Sequence, residues 1–208
     1  MNVSIDILEL GPLMTNGYVV RGQRDCWVVD PGSAGPVLAH LGRIGLAPSR
    51  IILTHGHGDH IAGVAGVAEA FPGVQIAIAA ADGPMLTDPQ LNLSGQFGLA
   101  ITAPAATQTL EHGQVLDLEG THWRVLDTSG HTPGGLSLYC AELGVVLTGD
   151  ALFADSIGRC DLPGASQSQL VENIRSNLLT LPQETVVLPG HGDSTTIGRE
   201  RQHNPYLF

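Results

Sequence analysis

The sequence predicts an α+β layered fold, a single domain spanning residues 1–208 and made of two halves with similar organisation. Three observations predict it. Apolar strand-like runs alternate with helix-like segments along the chain, and each half begins with strands before helices and further strands follow. With 208 residues, 43% hydrophobic and only 14% charged, the chain can bury a substantial core. No repeat is visible in the residues themselves, so the duplication rests on pattern alone.

In the first half, strands are expected at residues 3–8, 18–21 and 26–29, the last closed by the turn "DPGS". Residues 34–46, "AGPVLAHLGRIGL", have helical spacing, and 51–54 read as a buried strand. "IAGVAGVAEAF" (61–71) reads as a helix weakened by two internal glycines, and "VQIAIAA" as a strand. Residues 84–110 are poorly periodic and rich in Pro, Gly and Thr, so they are expected to form a long excursion or flap. In the second half, strands are expected at 115–118, 123–127, 136–140 and 145–148. A serine-capped helix at 166–181 and a strand at "TVVLP" complete the pattern.

Composition excludes several classes of function. The net charge is −11, with nine Arg and no Lys, which is a poor surface for neutralising phosphates, so no nucleic-acid partner is expected. No apolar run reaches membrane-spanning length, and "MNVSIDILEL" lacks the basic and apolar regions of a signal peptide. A cytoplasmic protein without a membrane partner is therefore expected. Cys26, Cys140 and Cys160 form no CxxC pair, which argues against a disulfide framework; Cys26 and Cys140 lie in strand-like runs and are expected to be inert buried thiols.

The chemistry is concentrated at strand ends. "IILTHGHGDH", "WRVLDTSGH", "GVVLTGD" and "TVVLPGH" each run from apolar residues directly into metal-compatible ones. They supply His55, His57, Asp59 and His60, then His131, Asp150 and His191. Side by side, such strands would bring these groups to one sheet edge, where sites on α/β sheets form. So many imidazoles and carboxylates gain little together without a cation. Seven candidates exceed the three or so protein ligands of one catalytic zinc and suit two ions sharing a bridge. Imidazole and carboxylate without thiolate suit zinc, iron or manganese. His55 and His57, two apart on an extended segment, can face one ion while Asp59 and His60 turn toward another.

"THGHGDH", followed by a lone His, Asp and His, resembles the signature of the metallo-β-lactamase superfamily. "VVDPGS", "SGHTPGGLSLY", "GDALFADSIGRCDLPG" and "LPGHGDSTTIGRERQHNPYL" are similar to its glyoxalase II (hydroxyacylglutathione hydrolase) branch in a short form. The resemblance implies an αββα sandwich of two mixed sheets. It implies His55, His57 and His131 on one metal, Asp59, His60 and His191 on a second, and Asp150 bridging. The implied cofactor is two divalent metal ions, zinc first, with iron or manganese also used in this branch. The implied reaction is hydrolysis of a glutathione-type thioester, S-D-lactoylglutathione or a related acyl thioester, by a hydroxide bridging the metals. Asp59 is expected to ligate and also to accept a hydrogen bond from the nucleophile. The thiolate leaves without strong acid help, because its conjugate acid has a pKa of about 8.5.

Arg159 matches a basic position that holds the glutathione glycine carboxylate in the family, and Asp161 and Phe153 on the same loop are expected to shape the pocket. Asp30, in the Asp-Pro-Gly turn, is read either as a turn former or as support for the metal ligands. Full-length glyoxalase II carries a further helical domain that completes the glutathione pocket. Here only residues 192–208 follow His191, so that domain is expected to be missing and the acyl group stays open. The alternatives are a mononuclear-iron persulfide dioxygenase of the same fold, a tRNA-processing type nuclease disfavoured by charge, a secreted β-lactamase, and a non-catalytic metal-binding module.

Overall fold

The strands alternate their side chains between two apolar layers, and that alternation builds the molecule. In the computed structural model, which describes residues 3–208, β1 (Ser4–Leu10), β2 (Thr15–Arg21), β3 (Cys26–Val29), β4 (Pro48–Ile52), β5 (Gln75–Ala79) and β6 (Gln108–Leu110) form one six-stranded sheet in that order. Within β3, Trp27 and Val29 point into the space between the two sheets, while Cys26 and Val28 point to the outer helices. Both faces being covered explains why these strands read as nearly continuous apolar runs. β1, β2 and β3 are antiparallel; β3, β4, β5 and β6 are parallel.

The second sheet contains β7 (Val115–Leu118), β8 (Thr121–Asp127), β9 (Leu136–Cys140), β10 (Val145–Gly149), β13 (Val186–Pro189) and β14 (Thr195–Thr196), in the order β14-β13-β10-β9-β8-β7. Each sheet thus has an antiparallel meander that passes through a helix to a parallel neighbour. The crossovers are α1 (Ala34–Ile44) between β3 and β4, and α4 (Gln167–Asn173) between β10 and β13. Between the sheets lies one apolar layer, centred on Trp27 and Trp123 packed edge to face at 6.3 Å. Outside the first sheet, Val37 and Leu41 of α1 pack on Val19, Val28 and Ile51; outside the second, Leu170, Ile174 and Leu178 pack on Val146 and Val187. The layers run helix, sheet, sheet, helix, as expected.

The differences from the sequence reading have local causes. The helix expected at 61–71 is broken into α2 (Gly58–Ile61) and α3 (Val64–Ala70). Gly63 between them donates its N–H to the Pro31 carbonyl at 2.6 Å, and any side chain there would collide with the Pro31–Ala34 backbone. The helix expected at 166–181 ends at Asn173 and continues as a π-helical turn over Ile174–Leu178. The excursion at 84–110 contains β6 and part of a 3-10 helix, Ala80–Leu86. The short strands β11 (Leu152–Phe153) and β12 (Ser156–Ile157), with helix α5 (Ile197–His203), were not anticipated. Residues 1 and 2 of the expected domain lie outside the described residues. Among the described residues, no helix is long and apolar enough to cross a membrane.

Candidate metal centre

Strand topology brings the four expected strand ends together. β10 and β13 are parallel neighbours, and the Gly190 N–H donates to the Gly149 carbonyl at 2.8 Å, so Asp150 and His191 emerge side by side. The first sheet reaches across to them. Thr15 forms an antiparallel bridge with His191, and the Asn16 N–H donates to the Gly190 carbonyl at 2.7 Å. The Asn16 amide and the Tyr18 hydroxyl both donate to the Pro189 carbonyl, at 3.1 and 2.6 Å. On the other side, the Leu136 N–H donates to the Thr54 carbonyl at 2.8 Å, which fastens the start of β9 to the segment that follows β4.

All seven candidate ligands converge. Ligand atoms of His55, His57 and His131 form one group within 4.8 Å of one another, and those of Asp59, His60 and His191 form another. Asp150 touches both: its Oδ1 lies 3.3 Å from His60 Nε2, and its Oδ2 lies 3.6 Å from His131 Nε2 and 3.7 Å from His191 Nε2.

Outer hydrogen bonds set the tautomers. Nδ1–H of His60 donates to Asp30 at 3.0 Å, that of His131 to the Arg159 carbonyl at 2.8 Å, and that of His191 to the Leu13 carbonyl at 3.1 Å. The Thr54 hydroxyl proton goes to Asp30 at 2.6 Å, so Thr54 Oγ1 accepts from His55 Nδ1 at 3.1 Å. Each of these four imidazoles therefore turns its Nε2 inward.

The inward atoms fit a bound cation. His57 Nδ1 and His131 Nε2 face each other at 2.9 Å, and His60 Nε2 faces His191 Nε2 at 3.4 Å. Lone pair against lone pair is repulsive unless a proton or metal lies between. His55 Nε2 and Asp150 Oδ1 are buried with no hydrogen-bond partner, which is costly for polar atoms that nothing else engages. Asp30, also near His55 and His60, is already occupied: it accepts from Thr54 N–H at 2.8 Å, from the Thr54 hydroxyl and from His60.

The two groups differ electrostatically. Burial, reinforced by the neighbouring His131, pushes His57 down to about 3. Burial and the surrounding imidazoles hold His55 well below its usual range. Burial also opposes charge on His60, but Asp150 and Asp30 overcome it and hold His60 well above its usual range. Burial likewise disfavours ionised Asp59, but the hydrogen bond with His191 and the charge of His60 outweigh it, and its pKa falls. His55 and His57 are thus neutral donors at neutral pH, while the second group is held together by internal charge pairs.

The expected substrate residues are less engaged. The Arg159 side chain is 70% exposed and forks onto Asp161, with both bonds at 3.0 Å; only its carbonyl touches the cluster, through His131. Phe153 lies beside the second group, its ring centroid 6.5 Å from that of His191. Cys160 is half-buried and donates to the Gly158 carbonyl at 3.3 Å. Sequence reading missed Leu13, Thr15, Asn16, Tyr18 and Asp82. Thr15 Oγ1 donates to Asp59 Oδ2 at 3.0 Å, and Asp82 joins two ligand loops.

A layered sandwich with a cluster of imidazoles and carboxylates along one edge of its sheets defines a metallo-hydrolase. The chain belongs to the metallo-beta-lactamase superfamily, whose family model matches residues 10–191. It is 36% identical over 202 residues to the probable metallo-hydrolase YqgX of Bacillus subtilis, covering 96% of this chain and 95% of that one. It is 32% identical over 209 residues to hydroxyacylglutathione hydrolase GloC of Haemophilus influenzae, covering 99% and 98%. Among solved structures, the B3 metallo-beta-lactamase BLEG-1 superposes with a TM-score of 0.93 at 37% identity, covering 98% of this chain and 99% of that one. TTHA1623 in a di-iron-bound form superposes with a TM-score of 0.87 at 38% identity, covering 97% and 100%.

Proposed function

We propose that this protein hydrolyses a glutathione-type thioester, S-D-lactoylglutathione or a related acyl thioester, at two divalent metal ions. The observation that carries the reading is Asp150, whose carboxylate lies between the two groups of candidate ligands, Oδ1 beside His60 and Oδ2 beside both His131 and His191. His55, His57 and His131 would hold one metal, Asp59, His60 and His191 the other, and Asp150 both. When bound, the metals supply Lewis acidity and a water acidic enough to be a nucleophile near neutral pH. Imidazole and carboxylate donors suit zinc, iron or manganese, and the similarity to a di-iron structure keeps iron beside zinc as a candidate.

The chain's own residues define the approach. The side chains of His60 and His55 are buried, whereas His191 is 28% and Asp59 22% exposed, so substrate meets the cluster on the side of Asp59 and His191. Thr15 donates to Asp59 there, and Asp59 would accept a hydrogen bond from the attacking water. A thiolate leaving group needs less help from an acid than an amine does, which suits a thioester substrate. Arg159 could meet a substrate carboxylate only by leaving Asp161, and an exposed pair of that kind holds weakly. Similarity to a hydroxyacylglutathione hydrolase across nearly the full length of both chains supports the substrate class.

The test is metal quantitation on protein purified without added metal, then assays on S-D-lactoylglutathione and on a chromogenic cephalosporin. Two metals with thioester turnover are expected. Two metals without thioester turnover overturn the substrate, and cephalosporin turnover would move the protein toward the lactamase it resembles. One iron with oxygen consumption on a glutathione persulfide would replace hydrolysis by oxidation.

A further inference from the structure

We propose that Asp82 is a positioning residue that sets the spacing of the His55, His57 and His131 group, an inference that rests on the two-metal reading above. Asp82 lies on the 3-10 helix after β5 and is fully buried. Its Oδ1 accepts the Gly134 N–H at 2.6 Å. Its Oδ2 accepts the Gly56 N–H at 3.1 Å and the Thr132 hydroxyl at 2.7 Å. Gly56 stands between His55 and His57, and Thr132 directly follows His131. One carboxylate therefore spans two loops that come from different sheets, and both loops carry ligands of the same group. Its hydrogen bonds reach none of Asp59, His60 and His191.

The side-chain chemistry is specific. All three neighbours are donors, so the position calls for an acceptor with two oxygens and no proton of its own. Burial raises the carboxyl pKa, and the three donors offset that only in part, so it stays above the usual carboxylate value. An amide would offer one oxygen and turn an NH2 toward a donor, leaving buried groups unsatisfied. The fit also explains two glycines. A Cβ on Gly134 would lie 2.8 Å from Asp82 atoms, and one on Gly56 would lie 2.6 Å from the Met85 Cβ. Asp82 therefore controls how closely His57 Nδ1 approaches His131 Nε2, which stand at 2.9 Å.

The test is Co(II) titration, followed by visible d–d absorption and metal quantitation, on Asp82→Asn and Thr132→Val. Glu200→Gln, at a buried carboxylate outside the cluster, is the control. Repeating the titrations in a His191→Ala background, which disables the second group, reads the first group alone. Asp82→Asn should weaken the first group by about 10–100-fold, the usual cost of losing an outer partner. Its d–d spectrum should shift, and the second group should bind as in the parent. Thr132→Val should move the same affinity by a few fold, and Glu200→Gln should move neither group selectively. Parental affinity and spectrum in both variants would overturn the proposal, as would equal weakening of both groups in step with a lower melting temperature. If Asp82→Asn does not fold, Thr132→Val decides alone. A parent protein that binds one equivalent sinks the two-metal reading instead; Asp82 then stands or falls on whether Thr132→Val weakens that equivalent.

Discussion

Replacing Asp30 by asparagine alters the hydrogen-bond chemistry of one buried position and almost nothing of its shape, yet it should reverse two imidazoles. Asp30 accepts Thr54 N–H at Oδ1, and both the Thr54 hydroxyl and His60 Nδ1–H at Oδ2. If the asparagine oxygen keeps the Thr54 N–H, its NH2 faces the Thr54 hydroxyl and His60 Nδ1, and both must become acceptors. The Thr54 hydroxyl then donates to His55 Nδ1, 3.1 Å away. His55 and His60 are both driven to carry their proton on Nε2, the atom each turns toward the cluster. Losing one outer partner costs about 10–100-fold in metal affinity or activity, or about 1.4–2.8 kcal/mol. With one histidine in each group affected, the loss in kcat/KM should be about 10²–10⁴-fold. The assays are metal titration and ¹⁵N NMR of the imidazoles, which reports the tautomer directly. Parental metal affinity with both rings still protonated at Nδ1 would refute this chain of hydrogen-bond reversals.

Other perturbations test separate parts of the structure. Asp59→Ala should abolish turnover and lower second-metal occupancy together in metal quantitation; full activity would remove Asp59 from its double role. Metal-free protein should lose thermal stability as pH falls from about 6.5 toward 3, because unfolded chains protonate imidazoles that the fold keeps neutral, His57 titrating only near about 3. Below about 4 the depressed Asp59 and Asp150 carboxylates add to that loss, and a flat melting profile across the range would contradict both assignments. Trp123→Ala, at the centre of the layer between the sheets, should cost about 3–5 kcal/mol in urea unfolding.

The candidate ligands were legible because each follows closely on an apolar strand, so a one-dimensional pattern reports where the strand stops and chemistry begins. The layered fold was legible for a related reason: strands covered on both faces are apolar along nearly their whole length, as in β3 and in β5 after Gln75. The groups that orient the ligands left no comparable trace. Leu13 and Arg159 act through backbone carbonyls, for which side-chain identity is nearly silent. Thr15 and Asn16 act on partners far away in sequence, Asn16 across the two sheets. Helix α5 escaped notice because its anchor is polar: Glu200, fully buried, accepts from Thr195, the Asp155 N–H and Asn204, whereas a charged residue in a short helix reads as exposed. Asp82 sits where periodicity fades, in a 3-10 turn whose one polar side chain resembles ordinary loop composition.

The division of the ligands between the sheets has a thermodynamic consequence. His55, His57, Asp59 and His60 follow β4, whereas His131, Asp150 and His191 follow strands of the other sheet. On the proposed assignment, neither sheet owns a complete coordination shell, and each ion must be shared across the seam between them. Ion uptake and docking of the two halves then become one linked equilibrium, in which the cofactor acts as a clasp and every gain in affinity is also a gain in cohesion of the sandwich.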